Sequence, residues 1–155
     1  MRKLTSLLSI AAAVVVSALS VTGCSVAGAV SAGNAYVPVP STPGTTVGYL
    51  EIRNNGAPDE LISVRADVGG TVTLRGPVSH GTQVMSMRDV SDIPIPADTT
   101  VHLAPNSYHL LFTGATDLQS GKAITLQLTF EHAGTISIVA LVTNPESGGS
   151  SYFLN

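Results

Sequence analysis

Three side chains in the middle of the chain carry soft or imidazole donors at spacings that extended structure can use. In "QVMSM", residues 83–87, Met85 and Met87 stand two apart, so a strand turns both thioethers to one face. In "PNSYHLLF", residues 105–112, Tyr108, Leu110 and Phe112 share one face, and His109 and Leu111 share the other. An imidazole in such a segment has two readings: a partly exposed histidine at the edge of a core, or a metal ligand. Thioether and imidazole together are the donors that Cu(I) prefers, whereas methionine alone is an ordinary filler of core gaps. The other histidines are less pointed. His80 lies in the connection "RGPVSHGTQ", His102 alternates with Val101 and Leu103 and is expected to face outward, and His132 sits in the turn "EHAG".

Catalytic signatures do not compete with this reading. The sequence has no HExxH, no GxSxG, no Walker loop and no glycine-rich dinucleotide fingerprint, and its Ser, His and Asp residues show no triad spacing. The expectation is a protein that is not an enzyme.

The elements that must position these donors read as strands. "AITLQLTF" (123–130) alternates Ile124, Leu126, Leu128 and Phe130 against Thr125, Gln127 and Thr129, and "GTISIVALV" (134–142) repeats the pattern, so the two form a hairpin. Further strands are expected at 47–54, 60–67, 71–75, 83–87, 100–104 and 107–112, with turn chemistry at "NNG" (54–56) and "GG" (69–70). Pro94 and Pro96 exclude a central strand from "DIPIPAD". No helical period persists outside the N-terminal segment. The chain is expected to be all-β, an antiparallel Greek-key β-sandwich, with Leu50, Ile52, Leu110, Phe112, Leu126, Leu128, Phe130, Ile136 and Ile138 in its core.

The ends differ from this middle. Arg2 and Lys3, an apolar run from Leu4 to Leu19 and "VTGC" at 21–24 read as a secretory signal peptide, residues 1–23. Cys24 is the only cysteine, so no intramolecular disulfide can form, and "VTGC" resembles the bacterial lipobox, whose cysteine is lipidated and becomes the new N-terminus. Residues 24–34 are expected to be the lipid anchor and a flexible tether, 35–142 the folded domain, and 143–155 a disordered Gly/Ser-rich tail. Removing residues 1–23 takes away Arg2 and Lys3 and no acid, which leaves five basic and ten acidic residues and a formal charge of −5. No basic patch exists for nucleic acid. The partner implied is the membrane, through lipid at Cys24, with the protein on the outer face of the cytoplasmic membrane within the cell envelope.

"GYLEIRNNGAPDELISV" (48–64), "VMSMRDV" (84–90), "IPAD" (95–98), "LAPNSYHLLF" (103–112) and "LTFEHAGTISI" (128–138) occur in an order that resembles the periplasmic copper chaperone family PCuAC and the LpqE-type lipoproteins of actinobacteria. The resemblance covers roughly Ala35 to Val142. It implies a cupredoxin-like fold, a shallow Cu(I) site and delivery of copper to an acceptor such as a respiratory oxidase. The family's ligand pattern is a histidine, ten residues, a methionine, twenty-one residues, then His-x-Met. Met87 and His109 keep the second spacing. The first histidine falls at Arg75, one residue farther from Met87 than the pattern asks, and the last methionine falls at Leu111. Leucine has no lone pair to give, and arginine stays protonated. A rebuilt set of His80, Met85, Met87 and His109 would restore two imidazoles and two thioethers. The competing reading is a relative that has lost metal binding and serves as an envelope interaction module.

Overall fold

The computed structural model describes residues 29–80 and 83–144, with His80 and Met85 described as strand positions only. Residues 1–28, where the signal peptide and Cys24 anchor are expected, and residues 145–155 lie outside the described residues. Within them the structure is all-β: β1 (Val30–Pro38), β2 (Thr45–Asn54), β3 (Asp59–Ala66), β4 (Thr71–His80), β5 (Gln83–Asp89), β6 (Ile93–Ile95), β7 (Thr99–Leu103), β8 (His109–Thr113), β9 (Ala123–Phe130) and β10 (Gly134–Thr143). They form one curled sheet in the order β5-β4-β8-β2-β1-β10-β9-β3-β6, with β7 also on β2. Strand β2 joins the two layers. Its first half, Thr45–Gly48, pairs with β8, and its second half, Leu50–Asn54, pairs with β7.

The inward faces follow the alternation of the sequence. Leu50, Ile52, Leu110, Phe112, Leu126, Leu128 and Phe130 are all buried. Ile136 and Ile138 are only half-buried and pack against the core from its margin. The cause is the length of the β1–β10 ladder, which starts at Ala35 and Ala140, so among the described residues the first half of β10 is flanked by β9 alone.

Three local expectations are corrected. Residues 30–34, read as tether, form the first part of β1, where Val30 is buried opposite Asn54. The run of Ala, Gly and Ser hid this strand because small residues carry little hydrophobic contrast. The sheet is also not wholly antiparallel, because β1 and β10 run parallel. Finally, β4 continues past Arg75 to His80 through Gly76 and Pro77. Strand β8 reaches only to Arg75, so no neighbour requires an N–H from Pro77. Gly76 admits the Tyr108 ring, which would stand 2.6 Å from an added Cβ.

The "DIPIPAD" segment behaves as its prolines require. β6 is three residues long and sits at the sheet edge on β3. The Asn54 side chain, fully buried, donates to the carbonyls of Ala57, Ile95 and Pro96 and accepts from the Gly56 N–H, which ties this edge to the "NNG" turn.

Candidate metal centre

The outward face of β5, β4, β8 and β2 carries the residues singled out above. Arg75 lies opposite His109 on one side and Asp89 on the other, Met87 lies opposite Pro77, and Leu111 lies opposite Thr73 and Val47. Met87 and His109 therefore flank β4 diagonally, with Arg75 rooted between them. Both are half-buried, as is Leu111. His80 ends β4 and lies opposite Gln83, and Met85 is the third residue of β5.

His109 opens β8 because the preceding turn closes at Asn106, whose φ is 62°. That turn also orients the imidazole. His109 Nδ1 lies 3.0 Å from the Ser107 carbonyl oxygen. A carbonyl only accepts, so Nδ1 carries a proton, and in the neutral ring the lone pair is then on Nε2. A backbone carbonyl on one ring nitrogen is the usual means of fixing a histidine that ligates through the other. The Tyr49 ring stands 6.5 Å from the imidazole, and Tyr36 packs on Tyr49 at 5.1 Å. Burial raises both phenols above their ordinary pKa, and at Tyr49 the neighbouring Tyr36 adds to the effect.

Arg75 is held in place. Its Nη2 donates to the Met87 carbonyl at 2.6 Å, and its Nη1 lies 3.2 Å from Asp89 Oδ1. Its Nε is buried without a hydrogen-bond partner among the described residues. The Val90 N–H donates to the Leu74 carbonyl, which makes Arg75/Asp89 and Pro77/Met87 non-hydrogen-bonded pairs of the β4–β5 ladder. The Met87 carbonyl thus points to the open edge of β5, and the guanidinium reaches across the strand to cover it. Asp89 and Ser107 were not singled out from the sequence. Asp89 had a signal, since it stands two residues from Met87 and so shares its face.

The two other described histidines are elsewhere. His102 is exposed, as its alternation predicts, and lies 3.2 Å from Glu51. His132 lies in the β9–β10 turn beside Asp59. Among the described residues no group of three or more His, Cys, Asp or Glu is placed to hold a metal.

The family model described as "Putative lipoprotein LpqE-like" matches residues 30–142. The chain belongs to the LpqE-like family. Its first matched residue is also the first residue of β1. A curated relative, "Putative lipoprotein Lxx21020" of Leifsonia xyli subsp. xyli, is 26% identical over 112 residues, covering 71% of this chain and 67% of that protein. Among solved structures, the copper-bound PCuAC domain from PmoF2 is similar with a TM-score of 0.64 at 21% identity, over 77% of this chain and 96% of that one. The CuI-DR1885 solution structure from Deinococcus radiodurans has a TM-score of 0.60 at 23% identity, over 73% and 76%. These likenesses establish the cupredoxin-like β-sandwich of this LpqE-like domain.

Proposed function

We propose that this LpqE-like protein is a lipid-anchored envelope protein that binds Cu(I), as a chaperone or scavenger, through a partly degenerate site. Met87 and His109 are its retained donors, and His80 and Met85 complete the set. The observation that carries the reading is the imidazole of His109. The Ser107 carbonyl commits Nδ1 as a donor and leaves Nε2 as the ligating nitrogen, on the outward face that also carries Met87. Two structural neighbours hold copper, which supports the choice of metal. The donor chemistry fits it too, since thioether with imidazole selects Cu(I) over harder ions. Lipidation at Cys24 would hold the domain at the outer face of the cytoplasmic membrane, within reach of an acceptor such as a respiratory oxidase.

Anaerobic Cu(I) titration against a competing chelator tests this reading. One ion per chain is expected, with affinity lowered by Met87→Ala, His109→Ala, His80→Ala and Met85→Ala. If His80→Ala and Met85→Ala are silent, the site is a two-donor remnant. If neither the wild type nor Arg75→His with Leu111→Met binds Cu(I), copper binding is excluded. An intact mass showing unmodified Cys24 in membrane-bound protein would exclude the anchor.

One observation favours the second reading, an interaction module without metal. Arg75 spans from Met87 to Asp89 and supplies a fixed cation where a ligand would stand, and Leu111 supplies no donor.

A further inference from the structure

The largest exposed apolar side chains of the described sheet include Val139, 67% exposed, and Leu141, 36% exposed, both on β10. Leu141 lies opposite Tyr36 on β1, and Tyr36 lies opposite Tyr49 on β2. These four side chains make one apolar stripe across three adjacent strands of the outward face. The chain leaves β10 at Thr143, two residues beyond Leu141, so the C-terminal segment starts at the border of the stripe.

That segment reads "NPESGGSSYFLN", residues 144–155. Its large apolar side chains are three in succession, Tyr152, Phe153 and Leu154. We propose that the stripe formed by Val139, Leu141, Tyr36 and Tyr49 is the docking site of the chain's own C-terminal segment, through Tyr152, Phe153 and Leu154. Reach allows it. Phe153 lies ten positions beyond Thr143, enough to span ~33 Å, whereas Tyr36 and Tyr49 lie one and two strands away, about 5–10 Å. Direction allows it too. The stripe runs back from Leu141 towards Val139, and Gly148–Gly149 between serines lets the chain reverse.

The linker also favours this occupant over a separate molecule. A connection this short would hold the segment near the stripe at roughly millimolar effective concentration, so a weak apolar contact suffices to fill it. Aromatic rings suit the contact, since Tyr36 and Tyr49 already pack as a tilted pair at 45° and a third ring can extend it. The docking does not depend on whether His109 takes copper. A filled stripe would nevertheless narrow the approach to His109 from the Tyr49 side.

The test uses a nitroxide on Ser151→Cys in the full chain carrying Cys24→Ser. Amide relaxation at Val139 and Leu141 is expected to be enhanced at least twofold over the same label with Phe153→Asp. The enhancement should be unchanged on tenfold dilution. Val139→Asp should abolish it, and the fold, read from the remaining amide shifts, should stay intact. Equal relaxation with and without Phe153→Asp overturns the proposal. Enhancement that falls on dilution assigns the stripe to a second copy. Enhancement that appears only with added phosphatidylglycerol vesicles assigns it to lipid. Either result overturns the proposal.

Discussion

Two regions of this protein each set a histidine near a charged group, and the charged groups differ in how fully their hydrogen bonds are made. At the β9–β10 corner, Asp59 is buried and accepts from the backbone N–H groups of Glu60, His132 and Ala133 and from His132 Nδ1. The carboxylate there is fully committed to holding β3 against the turn, while the exposed His132 ring uses only its Nδ1. On the outward face of β4 and β8, His109 spends one nitrogen on Ser107, and Arg75 Nε has no partner among the described residues. A satisfied cluster is structural, whereas unspent donors on a half-buried face are what a ligand can use.

That contrast can be broken at either end. The largest expected effect is at the corner. Asp59→Ala leaves three backbone donors without their acceptor and should cost about 3 kcal/mol in urea unfolding, with Cu(I) affinity unchanged. On the outward face of β4 and β8, Arg75→His with Leu111→Met adds an imidazole and a thioether and removes a cation. Cu(I) should bind at least a hundredfold tighter, about 2.7 kcal/mol, at one tenfold step per donor. His109→Ala should reverse the pattern of Asp59→Ala, with Cu(I) affinity down at least tenfold and stability changed by less than about 1 kcal/mol. Equal losses of stability in both variants would erase the distinction between the two regions.

Acid sharpens the comparison further. Burial tends to raise the Asp59 carboxyl, but the hydrogen bonds from His132, Glu60 and Ala133 outweigh it and hold the group below the ordinary value of 3.8. A depressed folded pKa means the native state holds its proton less tightly than the unfolded chain does. The contribution is present above the unfolded value and is lost as pH falls through the folded one. Stability should thus fall below about pH 4, and Asp59→Asn should flatten that limb. The smallest effect is expected from Asp89→Asn. Asp89 is 64% exposed, so loss of its pair with Arg75 should change stability by less than about 1 kcal/mol.

Much of this protein was legible in the order of its residues. Period-two alternation identified the strands that bury Leu110, Phe112, Leu126 and Phe130, because one buried face imposes that period on any strand. The same parity put His109 and Leu111 on the outward side. Strand β1 was not legible, because its small residues become a strand only when β2 and β10 offer two ladders to fill. The extension of β4 through Gly76 and Pro77 depended on where β8 ends. Which polar groups are spent was likewise decided in three dimensions. Ser107 reaches His109 through a turn closed at Asn106, and Asp59 meets His132 seventy-three residues away. Donor types and their spacing are properties of the chain. Whether a donor is already satisfied depends on neighbours that only the folded sheet brings within hydrogen-bond distance.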